Sequence, residues 1–224
     1  MTGVAGGMAQ EDNDLEHEGR AWVRRALSSS SLTAMDVGFG TQGGPGVRFT
    51  LDHSRPLLRE VTAIARAILP GAELVRVVMF EKKGAENWTL PWHQDRVVAL
   101  KERAETPGFA NWTKKAGVWH AEPPIKLLER MMFARVHLDP ANAENGCLQV
   151  ALGTHRRGRI STTAAENVAR ASTTEHCAAE RGDLLFAKAL MLHRSAPSRS
   201  NVRRRAIRVD YVAERLPAPL EWAT

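Results

Sequence analysis

The hydrophobic period of the chain changes at Glu73, and that change limits the folds open to it. Upstream, Ser54 and Pro56 open a helix whose Leu57, Val61, Ile64, Ala65 and Ile68 share one face, and Pro70-Gly71 stops it. Downstream, the run from Glu73 to Glu81 is dense in β-branched residues and predicts a strand, closed by a turn at Lys82-Lys83-Gly84. Similar short runs recur at Arg130–Asp139, Cys147–Leu152, Thr174–Ala178, Asp183–Leu190 and Arg203–Val212. Pro140 to Gly146 is rich in turn-forming residues, so 130–139 and 147–152 read as a hairpin. Short strands with Gly-punctuated turns and a helical start predict a mainly β chain with flanking α-helices. Its core would be a jelly-roll, or double-stranded β-helix, of cupin-like type.

A length of 224 residues suits one domain with a sizeable core. Residues 1–20 carry few large apolar side chains and are expected to form a mobile N-terminal tail, with Met8 an alternative start; 21–224 would be the single domain. Trp22–Leu27 reads as a short helix ended by the Ser28–Ser31 run, Gly38–Gly46 as a loop, and Ala164–Ala171 as another short helix. The stretch from Arg96 to Pro124 has no clear period and is too long for an ordinary connection, which suggests a lid or substrate wall.

The formal charge of +6 comes largely from local runs such as Arg203-Arg204-Arg205, which read first as solvated surface. Cys147 and Cys177 make no disulfide framework, the start lacks a basic-then-apolar leader, and no apolar run approaches the ~20 residues of a membrane span. A reducing cytoplasm and no membrane partner are expected. Composition sets no oligomeric state.

Two stretches carry metal-ligand chemistry. In Trp92-His93-Gln94-Asp95, residues i and i+2 of an extended segment point the same way, so His93 and Asp95 can face one point with Gln94 turned away. With a second histidine this makes two imidazoles and one carboxylate on one face of a metal, the arrangement of non-haem Fe(II) oxygenases. His137-Leu138-Asp139 offers the same spacing. Strand order favours the first pair. A jelly-roll needs several strands between its ligands, and the chain from Asp95 to His193 has room for them, whereas Asp139 precedes a proline at a turn. A hydrogen-bonded pair with no metal stays open for His93 and Asp95. Against it stands the segment beginning at His193, where a histidine ends an apolar run and arginines begin the next strand. Those groups can converge on one pocket and hold a dicarboxylate whose other end chelates the metal.

Taken together, Trp92 to Asp95, Arg135 to Asp139, Asn145 to Val150, Gly153-Thr154-His155 and His193-Arg194-Ser195 with Arg204 to Ala206 resemble the phytanoyl-CoA dioxygenase-like branch of the Fe(II)/2-oxoglutarate-dependent oxygenases. The resemblance spans roughly Val75 to Val212. Leu152 and Thr154 replace the family's proline and serine in a structural turn. The resemblance implies His93, Asp95 and His193 as iron ligands. It implies Arg204, eleven positions after His193, and Ser195 as partners of the distal carboxylate of 2-oxoglutarate. Arg203 and Arg205 would alternate to the other face and reach solvent. It also implies Fe(II), 2-oxoglutarate and O2 as cofactor and cosubstrates, hydroxylation of a small organic, possibly anionic, substrate, and release of succinate and CO2. Asp95 argues against halogenation, because halogenating relatives carry a small residue there.

Trp112, Lys115 and Trp119 are candidate substrate contacts: aromatic faces for an apolar body, a lysine for an anionic group. Core tryptophans and a solvated lysine are the plainer reading. Two rivals stand beside the hydroxylase. One is a nucleic-acid-modifying oxygenase of the same superfamily, disfavoured because no base-stacking platform is visible. The other is a non-catalytic cupin-type binding protein.

Overall fold

The period change at Glu73 marks the start of a central strand. The computed structural model describes residues 14–40, 46–83 and 87–223. In chain order come β1 (Arg20–Val23), α1 (Ser29–Phe39), β2 (Val47–Phe49), α2 (Leu51–Leu57), α3 (Arg59–Ile68) and β3 (Glu73–Lys82). Then follow β4 (Leu90–His93), β5 (Val98–Leu100), β6 (Ala110–Lys115), β7 (Val118–Glu122), α4 (Ile125–Glu129) and β8 (Met131–His137). The chain ends with β9 (Leu148–Ala151), a 3-10 turn (Thr154–Arg157), α5 (Thr162–Arg170), β10 (Thr174–His176), β11 (Leu184–Lys188), β12 (His193–Ser195) and β13 (Arg204–Val212).

A six-stranded sheet in the order β1-β11-β8-β13-β3-β2 and a four-stranded sheet in the order β10-β9-β12-β4 form the jelly-roll, with every pairing antiparallel. β13 is the middle of the larger sheet. Its Ile207, Val209 and Tyr211 join Val77, Met79, Ala134 and Val136 in a core packed against Met35 and Phe39 of α1 and Val61 and Ala65 of α3. Each large side chain buried there contributes about 1.5–3 kcal/mol. Because side chains alternate, the residues between them on β13 face the other way, toward the smaller sheet. That inner face forms the site.

Several expectations are corrected. Residues 20–23 pair with β11 (Trp22 opposite Leu185), so 22–27 is no helix. Ser28 accepts from the Ser31 amide and caps α1, so the serine run starts a helix where it was expected to end one. The helix expected from Ser54 begins earlier, capped by Thr50, and breaks between Leu57 and Arg59. β8 and β9 are not a hairpin. β8 lies between β11 and β13, β9 lies between β10 and β12, and the turn around Asn142 and Asn145 carries the chain from one sheet to the other. The apolar run toward His193 is likewise two strands in two sheets. The stretch from Arg96 to Pro124 is a sheet of its own, β5-β7-β6.

Of the expected tail, residues 1–13 (Met8 among them) lie outside the described residues; within 14–20, Leu15 sits in the core and Arg20 opens β1. Gly84 also lies outside them. Cys147 and Cys177 are free and buried. Among the described residues no helix is long and apolar enough to cross a membrane.

Candidate metal centre

β12 lies beside β4 with His193 opposite His93, and the two imidazoles stand 4.2 Å apart. Just past the end of β4, the Asp95 amide donates to the Ala189 carbonyl (3.3 Å). Between them Gln94 points away and is held at three points. Its amide nitrogen donates to the Gly158 and Leu190 carbonyls, and its oxygen accepts from the Ile160 amide. The Thr154 hydroxyl donates to the Ala151 carbonyl and accepts from the Leu192 amide, which ties the end of β9 to the residue before His193. A strand end, a neighbouring strand and these anchors bring His93, Asp95 and His193 together, one ligand atom from each within 4.8 Å of the others.

The tautomers suit a metal. His93 Nδ1 lies 2.8 Å from the Pro91 carbonyl and His193 Nδ1 3.0 Å from the Met191 carbonyl. A carbonyl only accepts, so each Nδ1 carries a proton and Nε2 is the atom left for the cluster; that of His193 lies 3.2 Å from Asp95 Oδ2. Burial, followed by repulsion from His193, lowers the His93 pKa to about 4, so the ring is neutral near pH 7. Burial alone would raise the Asp95 carboxyl. Arg208 outweighs it, with His193 adding to the effect, and the carboxyl is held well below the usual range. Arg208 Nη1 lies 2.5 Å from Asp95 Oδ2 and its Nε lies 2.6 Å from Asp210 Oδ1, while its guanidinium stacks over Phe133 at 4.3 Å. The donor set is therefore two imidazoles and one ionised carboxylate, ligand types that a divalent first-row metal takes.

A cavity of about 270 Å³ opens onto this cluster, lined in part by Trp88, Phe133, Arg135, Leu148 and Ser195. Next to its Arg135 and Ser195 wall is an unusual charge arrangement. Arg204 is fully buried, and none of its three side-chain nitrogens has a hydrogen-bond partner among the described residues. Arg135 has two such nitrogens. Lys82, opposite Arg204 in the sheet and equally buried, donates to Ser195 Oγ (2.9 Å) and to the Ala196 carbonyl; Ser195 Oγ in turn donates to the Gly146 carbonyl (3.0 Å). Burial, and after it the charges of Arg204 and Arg135, lower the Lys82 pKa to about 7. Among the described residues no carboxylate pairs with any of these three cations. A buried unpaired cation costs several kcal/mol, so the cluster suits a bound anion.

Not every candidate lies at this cavity. Trp112 and Trp119 pack with the apolar cluster of Val98, Leu100 and Leu127, and Lys115 is exposed on β6; none of the three lines the cavity. The inserted sheet reaches the site through His120, whose Nε2 lies 2.5 Å from Arg48 Nη2. His137 stacks on Trp22 and is buried in its strand, while Asp139 forms a bidentate pair with Arg205. Arg205 is therefore buried, contrary to the expectation of solvent exposure. His155 contacts the Glu16 carbonyl, away from the cluster. Sequence reasoning missed Lys82, Arg135 and Arg208. Arg208 could have been found by parity with Arg204 on one strand. Lys82 was hidden because it read as a turn residue.

The sequence model "Phytanoyl-CoA dioxygenase (PhyH)" matches residues 43–206. No curated protein gives a significant match. Among solved structures, EctD from S. alaskensis, crystallised with 2-oxoglutarate and 5-hydroxyectoine, superposes with a TM-score of 0.68 at 15% identity, covering 92% of this chain and 76% of its own. The α-ketoglutarate-dependent carbocyclase SnoK from nogalamycin biosynthesis gives 0.67 at 14% identity (91% and 83%). AviO1 from Streptomyces viridochromogenes Tue57 gives 0.64 at 18% identity (95% and 98%). These likenesses confirm the jelly-roll, and the sequence match extends through both metal-facing strands: the chain belongs to the phytanoyl-CoA dioxygenase family.

Proposed function

We propose that the chain is an Fe(II)- and 2-oxoglutarate-dependent oxygenase that hydroxylates a C–H bond of a small organic molecule. The observation that carries this reading is the pairing of two neighbouring sites. One is the His93/Asp95/His193 cluster, whose ligand atoms lie within 4.8 Å of one another with each Nδ1 held by a backbone carbonyl. The other is a buried guanidinium, Arg204, without a hydrogen-bond partner among the described residues. When bound, Fe(II) with 2-oxoglutarate supplies O2-dependent oxidation of a substrate C–H bond, releasing succinate and CO2.

The chain's own residues do the rest. His93, Asp95 and His193 would hold the metal, and all three line the cavity. Arg208 takes one side of Asp95, keeps it ionised and orients it. Arg204, with Lys82 and Ser195 beside it, would receive the far carboxylate of the cosubstrate, for which its planar fork is suited. Phe133 and Leu148 line the cavity beside the cluster and would give a bound metal an apolar wall.

The test is succinate formation from 2-oxoglutarate in air. The wild-type protein should form succinate only with Fe(II) present, and His93→Ala or His193→Ala should abolish it while leaving the fold intact by circular dichroism. Succinate formed equally by His193→Ala would refute the assignment. A protein that binds both Fe(II) and 2-oxoglutarate and never forms succinate would instead be a binding protein.

A further inference from the structure

The inner face of the larger sheet carries more positive charge than the proposed chemistry uses. Lys82, Arg135, Arg204, Arg208, Arg76 and Arg48 all belong to it, and among the described residues only Asp95 and Asp210 face them. Fe(II) and the 2-oxoglutarate dianion cancel in formal charge, so loading both leaves the surplus in place. Something else must meet it.

The surplus has two ends. Arg76 and Lys82 are six residues apart on β3, roughly 20 Å along the strand, with Asp95 and Arg208 between them. A five-carbon dicarboxylate held at Arg204 and Lys82 cannot also reach Arg76. At the outer end, Val78 stands opposite Arg48 on one side and Arg208 on the other, and Arg76 stands opposite Asp210. Arg76 donates through Nε to Asp210, which also accepts from Arg208, so an alternation of charge runs from Asp95 through Arg208 and Asp210 to Arg76. Arg48 stands beyond it and pairs, among the described residues, with no carboxylate.

Arg48 is nevertheless oriented. Arginine has no acceptor, so His120 Nε2 must accept from Arg48 Nη2, and His120 Nδ1 donates to the Val118 carbonyl (3.0 Å). His120 is buried and neutral: burial, and then Arg48, push its pKa down. A neutral imidazole leaves the positive charge of Arg48 unquenched and turns it toward the cavity that Arg48, Arg76 and His93 line. Burial lowers the Arg48 pKa and repulsion from Arg76 lowers it further, while Asp210, the partner of Arg76, offsets only part of the effect.

We propose that Arg48 and Arg76 form a subsite for an oxyanion, a carboxylate or a phosphate, carried by the molecule to be oxidised. The subsite places that anion on the far side of Asp95 from the cosubstrate and so presents the neighbouring carbon to the metal. His120 is its positioning residue, through which the inserted sheet takes part in substrate choice. The inference names the substrate class of the function proposed above and rests on it for the meaning of the subsite, though not for its existence.

The test is calorimetric titration at low ionic strength with inorganic phosphate and, separately, acetate. It is run on the anaerobic protein loaded with Fe(II) and 2-oxoglutarate, and again on the unloaded protein. The loaded wild type should bind one probe saturably. Arg48→Gln should weaken that binding at least tenfold, Arg48→Lys should restore part of it, and both should keep the wild-type Fe(II)/2-oxoglutarate absorption band. Preference for phosphate indicates a phosphorylated substrate, and preference for acetate a carboxylated one. Absence of saturable binding in the loaded wild type, or binding unchanged by Arg48→Gln, overturns the proposal. If the band never forms but Arg48-dependent anion binding persists in the unloaded protein, the subsite stands and the oxygenase reading fails.

Discussion

Replacing Arg204 by methionine should move two properties in opposite directions. Arg204 is fully buried with all three side-chain nitrogens unpartnered, and Lys82 and Arg135 stand close enough to repel it. In the ligand-free protein its charge is a cost, and methionine fills similar volume without one. Replacing buried charged groups by well-packed apolar ones is neutral or stabilising by about 1–4 kcal/mol. Arg204→Met should therefore raise ligand-free stability, by about 2 kcal/mol as a middle value on that scale. With 2-oxoglutarate the sign reverses. A bidentate carboxylate pair supplies two charge-assisted hydrogen bonds worth about 1.5–3 kcal/mol each. Lys82 and Ser195 retain part of the carboxylate's binding, so a net loss of about 3 kcal/mol, or somewhat over a hundredfold in Kd, is expected. Thermal unfolding of the metal-free protein in a weakly coordinating buffer gives the first number. Anaerobic titration of the Fe(II)-loaded protein with 2-oxoglutarate, followed by the visible charge-transfer band, gives the second. A variant less stable than wild type without ligand, or one whose 2-oxoglutarate affinity stays within threefold of wild type, would refute the reasoning.

Three further outcomes follow from the same geometry. Lys82, with a pKa near 7, is charged below that pH and neutral above it, so affinity for the 2-oxoglutarate dianion should fall as pH rises through about 7 to 8.5; isothermal titration should show this roughly tenfold dependence in wild type and a flat profile in Lys82→Met. Gln94→Ala removes three hydrogen bonds between the metal-bearing stretch and residues 158–160 and 190, and should cost about 3 kcal/mol by chemical denaturation and weaken Fe(II) binding; a loss of stability with unchanged Fe(II) affinity would show that Gln94 does not position the ligands. Arg205→Met leaves Asp139 without its bidentate partner and should cost about 2 kcal/mol at pH 7. Burial alone would raise the Asp139 carboxyl, but Arg205 holds it below its ordinary value, so this contribution is full above the unfolded pKa of about 4 and disappears as pH falls through the folded one. Acid denaturation of Arg205→Met should accordingly have a shallower limb than that of wild type.

How legible each feature was depended on whether its signal is local. β3, β11 and β13 were readable because β-branched runs bounded by turn residues need no partner to be recognised. The convergence of His93, Asp95 and His193 was readable because period-2 geometry and strand order are both sequence properties. Sheet membership was not. β8 and β9 look like a hairpin because only a turn separates them, and nothing local reports that the chain passes there between sheets. The same crossing separates β11 from β12, whose apolar residues run together in sequence. Arg205 shows a third limit: parity placed it on the outer face, but Asp139 and Asp36 make that face a buried ion-pair site. The inserted sheet was misjudged for its tryptophans, which pack inward on their own core, while its contact with the cavity is one histidine.

The central claim is that one iron and one 2-oxoglutarate share this cavity. Anaerobic crystals soaked with Fe(II) and 2-oxoglutarate, with diffraction measured at the iron absorption edge, test it directly. The account predicts one anomalous peak within bonding distance of His93 Nε2, His193 Nε2 and one Asp95 oxygen, with the cosubstrate's far carboxylate against Arg204. A peak at His137 or His155, coordination through Nδ1, or a cosubstrate turned away from Arg204 would contradict it.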